Sequence, residues 1–188
     1  GLTPTMSIDL QVAAGKTLTI TNAVTVPTTK IVTFTGTNDA SAETLTLTGG
    51  MTLTGPGGEL NVIGDNTTAM VVGGTVTAGT ADGAVLDIDA TTTLTGLTPT
   101  MSIDLQVAAL KTLTITNAVT VPAGKIVTFT GTTDASAETL TLTGGMTLTG
   151  PGGELNVVGD NTTAMVVGGT VTAGTADGAV LDIDATTT

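Results

Sequence analysis

Residues 17–35 read TLTITNAVTVPTTKIVTFT, and this stretch decides the fold class. Apolar and polar letters alternate three times within it, as TLTIT, VTV and IVTFT. Alternation with a period of two indicates β-strands. Leu18 and Ile20 are predicted to face a core while the threonines between them face solvent. Valine, isoleucine and threonine are β-branched and favour strands over helices.

Similar short strands recur along the chain in groups of three. TLTLT, MTLT and ELNV follow within residues 44–62, then MVV, TVT and VLDID within residues 70–89, and a looser group runs from Thr92 to Val107. Turn-forming residues separate the strands. One group takes about 24 residues, which is typical of a solenoid coil with three short strands. We therefore predict an all-β protein, a parallel β-solenoid of about eight coils.

The chain contains the same sequence twice. A shift of 95 positions aligns residues 1–93 with residues 96–188, and five of the 93 aligned pairs differ. The differing pairs are Gly15 and Leu110, Thr28 and Ala123, Thr29 and Gly124, Asn38 and Thr133, and Ile63 and Val158. Internal repetition outweighs local signals in predicting a fold. We predict two repeats of about four coils each, residues 1–95 and 96–188, stacked as one continuous rod.

Two tandem immunoglobulin-like β-sandwich domains are the alternative fold. A period of 95 residues is close to the size of such a domain and would be explained directly by it. The tryptophan and the tyrosine corner typical of those domains are absent from the sequence, and residues 91–95 do not read as a linker. These observations favour the solenoid.

Two longer stretches carry a family resemblance. VAAGKTLTITNAVTVPTTKIVTFTG at residues 12–36, with its counterpart ending VPAGKIVTFTG at residues 121–131, resembles the coils of bacterial surface and secreted right-handed β-helix proteins, among them adhesins and autotransporter passengers. LTLTGGMTLTGPGGELNV at residues 45–62 is similar to other coils of that group. The resemblance implies a right-handed coil and an extracellular rod that is not an enzyme.

The composition excludes several classes of function. Sixteen acidic residues against four lysines give a net charge of −12, which argues against nucleic acid and against anionic membrane surfaces as partners. No apolar run is long enough to insert in a membrane. Histidine and cysteine are absent, which removes the usual nucleophile–base pairs and zinc ligands. We expect no enzymatic activity.

Calcium is the one cofactor for which the sequence offers ligands. The ion takes roughly six to eight oxygens, which carboxylates and backbone carbonyls at glycine-rich turns supply. Asp87 and Asp89 alternate on one strand and should project to the same side. The candidates are Asp65, Asp87, Asp89, Asp160, Asp182 and Asp184. The alternative interpretation is a solvated strand face with ordinary turn-forming residues.

The predicted function follows from the repeat. The sequence begins inside a repeat and breaks off inside one, and no polar cap is evident at either end. Uncapped solenoid ends expose backbone groups that favour head-to-tail stacking. We expect a structural protein of an extracellular fibre or cell-surface stalk, with itself as partner. The alternative is a repeat adhesin that contacts surface glycans or cations.

Overall fold

The computed structural model describes residues 2–37, 41–64, 68–131, 136–159 and 164–188. Within these ranges the chain forms strands and turns and no helix. In chain order the strands are β1 (Ile8–Gln11), β2 (Thr17–Ile20), β3 (Val24–Val26), β4 (Ile31–Thr35), β5 (Thr44–Thr54), β6 (Glu59–Ile63), β7 (Met70–Gly79), β8 (Ala84–Ile88), β9 (Thr92–Pro99), β10 (Ile103–Val107), β11 (Thr112–Ile115), β12 (Val119–Val121), β13 (Ile126–Gly131), β14 (Thr139–Leu148), β15 (Glu154–Val158), β16 (Val166–Ala173) and β17 (Val180–Asp184).

The chain winds between two sheets. The eight-stranded sheet has the order β1-β4-β6-β8-β10-β13-β15-β17, and the nine-stranded sheet contains the remaining strands. All strand pairs in the described ranges are parallel, each strand lying beside its counterpart one coil further along. The prediction of an all-β, parallel β-solenoid is confirmed. The alternative of two sandwiches is wrong, because sandwich sheets are antiparallel.

Each coil contributes to both sheets, but the nine-stranded sheet receives two short strands from some coils, as predicted (β2 with β3, β11 with β12), and one long strand from the others (β5, β7, β9, β14 and β16). TLTLT and MTLT, predicted as separate strands, join into β5, and the register of β5 against β7 shifts between Leu47 and Met51. Gly49 and Gly50 lie at the shift, and Gly50 has a φ of 75°. A Cβ at Gly49 would collide with the backbone of Ala23 in the adjacent coil. The two glycines therefore let one long strand bend where the sequence pattern predicts two strands.

The solenoid makes about six turns, so the predicted eight coils were too many. The eight-stranded sheet does include β1 and β17. In the described chain, however, no strand of the other sheet precedes β1 or follows β17. The outermost coils are therefore incomplete. Dividing the chain length by the number of residues in one coil counts each incomplete coil as a full turn and so overestimates the number of turns.

Inward side chains form rows along the rod axis. Leu10, Phe34, Val62 and Ile88 lie side by side on β1, β4, β6 and β8. Phe34, Val62 and Ile88 are completely buried. Full burial of one such side chain contributes about 1.5–3 kcal/mol. The core is thus a continuous apolar column between the two sheets.

The boundary between the sequence copies lies inside paired strands. β9 contains residues of both copies and pairs with β7 on one side and β11 on the other. In the eight-stranded sheet, β8 of the first copy pairs with β10 of the second. There Ile88 pairs with Val107, two residues beyond Leu105, the counterpart of Leu10. Because this offset is an even number of residues, inward and outward faces are preserved across the boundary.

Candidate functional site

The outer face of the eight-stranded sheet carries two of the predicted aspartates at the copy boundary. Asp87 lies between the buried residues Leu86 and Ile88, and Asp89 follows them. Because side chains alternate along a strand, both carboxylates project outward on the same side, as the sequence predicts. Asp87 is partly buried and Asp89 is exposed.

Neighbouring coils add two carboxylates that the sequence analysis did not identify. Glu59 on β6 and Asp104 on β10 both pair with Val85, two residues before Asp87. Outward residues two apart on neighbouring strands are diagonal neighbours on one face. Four carboxylates from three adjacent coils therefore share this surface, which we call the acidic face (Glu59, Asp87, Asp89 and Asp104).

Crowding on the acidic face raises the pKa of Asp87 to about 6. Partial burial is the largest cause, followed by the negative charges of Asp89 and Glu59. Burial and the charge of Asp89 also raise the pKa of Glu59. Both effects disfavour the ionised form of a carboxyl group. The acidic face consequently binds a proton at a higher pH than an isolated aspartate does.

Asp9 on β1 shows the opposite effect. Its Oδ1 accepts a hydrogen bond from Thr35 Oγ1 at 2.6 Å, and its Oδ2 accepts one from Gln11 Nε2 at 2.9 Å. These hydrogen bonds, that of Thr35 first, lower the pKa of Asp9. Hydrogen bonding to a carboxylate favours its ionised form. Outward aspartates of the same sheet thus have different acidities according to their neighbours.

A shallow depression of about 390 Å³ adjoins the acidic face. Asp87, Asp89, Gln106 and Thr130 are among the residues that line it. Gln106 Nε2 and Thr130 Oγ1 donate hydrogen bonds to Asp104 at 2.8 and 2.6 Å. The wall offers carboxylate, amide and hydroxyl groups that can hydrogen-bond a small polar ligand.

The structure does not bring the calcium candidates together as one site. Among the residues with described positions, no group of three or more Asp or Glu side chains is placed to hold a metal ion. Asp182 and Asp184 lie on the exposed strand β17. Asp65 and Asp160 lie outside the described residues. Calcium binding stays a prediction.

A polar bridge crosses the copy boundary at the corner before β8. Asp82 Oδ1 accepts a hydrogen bond from the backbone N of Ser102 at 2.7 Å, and Lys125 Nζ donates to both carboxylate oxygens of Asp82 at 3.1 and 3.2 Å. Ser102 Oγ accepts from the backbone N of Ile126 at 3.1 Å. The hydrogen bonds to Asp82, with that from Ser102 first, lower its pKa. We call Asp82, Ser102 and Lys125 the corner clamp; it joins three successive coils.

Both ends of the coil stack expose apolar side chains. At one end a hollow of about 260 Å³ is lined by residues that include Leu155, Val167, Val171, Leu181 and Ile183. At the other end a hollow of about 250 Å³ is lined by residues that include Leu2, Leu10 and Leu18. Leu181 is 55% exposed, whereas its counterpart Leu86 at the internal boundary is 1% exposed. The core column is therefore open to solvent at both ends.

No protein-family model, curated protein or solved structure is significantly similar to the chain. Across the ranges that the structure describes, no helix has the length and apolar character needed to span a membrane. The geometry of the rod, its acidic face and its ends is therefore the basis for proposing a function.

Proposed function

We propose that the chain is a structural protein, part of an extracellular fibre or cell-surface stalk whose length comes from β-stacking of near-identical repeats. The observation that carries this proposal is the pairing of β9, which contains residues of both copies, with β7 and β11. A spacer must transmit its length without bending at each repeat. Continuous backbone ladders and a continuous core meet that need.

The corner clamp and the surface charge support the same function. The clamp ties residues of the first copy to residues of the second, so the boundary is held at its corner as well as in its sheets. A net charge of −12 favours separation of neighbouring rods, because like charges repel laterally. An extracellular location is proposed from the resemblance of the coils to those of bacterial surface β-helix proteins.

The experiment that tests this function measures rod length against repeat number. Chains of two, three and four copies are purified and their lengths determined by small-angle X-ray scattering and electron microscopy. One copy supplies four strands to the eight-stranded sheet, so each added copy should lengthen the rod by about 19 Å at about 4.8 Å per coil. Particles that look like strings of beads with variable bends would contradict the proposal.

A repeat adhesin is the second candidate function, and the depression beside the acidic face favours it. Carboxylate, amide and hydroxyl groups at Asp87, Gln106 and Thr130 line one concave surface. This is the chemistry that would contact the hydroxyl groups of a glycan or a hydrated cation. Glycan-array binding and Ca²⁺ titration by calorimetry test it; a signal abolished by Gln106→Ala would support the adhesin function.

A further inference from the structure

The internal copy boundary shows how one repeat covers the next. β8 is covered by β10, with Leu86 beside Leu105, Asp87 beside Gln106 and Ile88 beside Val107. This pairing leaves Leu86 and Ile88 at most 1% exposed. The boundary is therefore a complete interface whose register is known residue by residue.

The two ends of the stack carry the same two surfaces without their partners. β17 repeats the sequence of β8, and its residues Leu181 and Ile183 are 55% and 42% exposed. β1 repeats the sequence of β10, and its residue Leu10 lines the hollow at the opposite end. In the described chain β17 pairs with β15 and β1 pairs with β4, each on one side. Each end thus presents a free strand edge and an open core.

We propose that a second copy of this chain docks its β1 onto β17 in the register of the internal boundary. Leu10 of the second copy then lies beside Leu181, Gln11 beside Asp182 and Val12 beside Ile183. The inference rests on the proposed structural function and adds the partner, the surface and the register. The two-residue offset distinguishes this register from the one found between coils within a copy. The register within a copy, continued across the junction, would place Asp9 instead of Gln11 beside Asp182.

The residues equivalent to the corner clamp lie at the two ends of the stack. The counterparts of Ser102 and Lys125 are Ser7 and Lys30 at the β1 end, and the counterpart of Asp82 is Asp177 at the β17 end. Asp177 is exposed there. In the docked pair the backbone N of Ser7 and the amino group of Lys30 reach Asp177 as Ser102 and Lys125 reach Asp82. The same polar contact that crosses the internal boundary is thus available between copies.

A docked second copy would fill part of the hollow beside β17. At the internal boundary Leu94 pairs with Val72 and Leu97 pairs with Val76. The counterparts of those valines, Val167 and Val171, line the hollow of about 260 Å³. Leu2 of the second copy is the counterpart of Leu97 and fills its place. The position equivalent to Leu94 follows Thr188 directly, so docking of the 188-residue chain leaves the part of the hollow beside Val167 unfilled.

The unfilled part of the hollow predicts that an added leucine strengthens self-association of the chain. Addition of Leu and Thr after Thr188 supplies the equivalent of Leu94 and should tighten self-association about tenfold, because one more leucine leaves water. A Ser-Thr addition of the same length is the matched control and should leave the dissociation constant near that of the parent chain. Sedimentation equilibrium measures both. Equal constants for the two extensions would overturn the proposed filling of the hollow.

Engineered disulfides test the register directly, because the chain contains no cysteine. Two outward residues on adjacent paired strands are close enough for a disulfide. The test chain carries Gln11→Cys and Asp182→Cys, and the control chain carries Asp9→Cys and Asp182→Cys. With oxidised glutathione, the test chain should form a ladder of covalent dimers and larger species about tenfold faster than the control chain. Equal rates, or no ladder from either chain, would overturn the proposal.

A third chain separates failure of docking from failure of the rod. Asp87→Cys and Gln106→Cys place the same pair at the internal boundary, where the disulfide should close within one chain. If this internal bond forms and the test chain gives no ladder, end-to-end docking is wrong while the continuous rod stands. If the internal bond fails to form in chains with native circular dichroism, the register across the boundary is wrong and both proposals fall.

Discussion

Lys125 and Asp82 lie 43 residues apart on opposite sides of the copy boundary, and Lys125 Nζ is 3.1 Å from Asp82 Oδ1. The ion pair is partly exposed, with side-chain exposures of 26% and 55%. It brings two corners of the rod into contact across an intervening coil. The boundary between repeats is thus held by a specific long-range contact, which can be removed without touching the core.

Asp82→Asn should destabilise the chain by about 0.5 kcal/mol at pH 7, because exposed ion pairs contribute little. The pKa of Asp82 is lowered from 3.8, so its contribution is present above that pH and is lost as pH falls through the folded-state pKa. Urea unfolding from pH 7 down to the lowest pH at which the chain stays folded measures the difference, which should shrink as pH falls below 3.8. Asp177→Asn is the matched control and should have no effect in monomeric chain. A destabilisation of the same size at every pH would contradict the account.

Asp87→Asn should stabilise the chain at neutral pH. The pKa of Asp87 is raised from 3.8 to about 6, so the native state is more stable below pH 3.8 and loses that stability as pH rises through about 6. Solvent screening of a partly exposed group reduces the effect, and we expect a gain of about 1 kcal/mol at pH 7 and none at pH 3.5.

Thermal and urea unfolding across pH 3–8 measure this effect. Asp182→Asn is the control, because the same residue in the second copy lies on exposed β17 and should change stability little. Destabilisation by Asp87→Asn at pH 7 would show that the carboxylate makes a favourable contact, which would contradict crowding on the acidic face.

Leu86→Ala and Leu181→Ala change the same residue in the two copies. Leu86 is 1% exposed and Leu181 is 55% exposed. We expect the first to cost about 2–5 kcal/mol, because it leaves a cavity in the core, and the second to cost under about 1 kcal/mol. Urea unfolding at a concentration where the chain is monomeric compares them. Equal losses of stability from the two substitutions would contradict a continuous core that is buried at Leu86 and exposed at Leu181.

Gly49→Ala should destabilise the chain by about 2 kcal/mol or more, because the added methyl group meets the backbone of Ala23 and forces the coils apart. Gly73→Ala is the matched control, since a Cβ there makes only ordinary contacts, the nearest at 3.6 Å from Leu45 O. Melting temperatures of the two variants provide the comparison. A neutral Gly49→Ala would show that the bend in β5 is not packed against the adjacent coil.

Local alternation predicted which side chains point inward. Ile20 is buried and Leu18 packs against the core as expected, because a strand has only two faces and one of them must exclude water. The same rule placed Asp87 and Asp89 on one outward side. These predictions need no knowledge of neighbouring strands.

Features that depend on the register between coils were not predictable. Glu59 and Asp104 belong to the acidic face because both pair with Val85. That pairing depends on the number of residues in each corner and on the two-residue offset at the boundary. The glycine pair in β5 was likewise ambiguous, because two glycines suit a turn between strands as well as a bend within one. The number of coils and the identity of the carboxylates that neighbour Asp87 could therefore be determined only from the structure.

The distance between outward positions on either side of the boundary tests the continuous rod most directly. Thr33, Asn61, Asp87, Gln106 and Thr130 form one row across five adjacent strands. Spin labels at Thr33→Cys and Thr130→Cys, four strand spacings apart, should give one narrow distance distribution whose backbone contribution is about 19 Å. A broad distribution, or one centred well beyond that distance after allowance for the label linkers, would show a hinge between the copies and contradict the account.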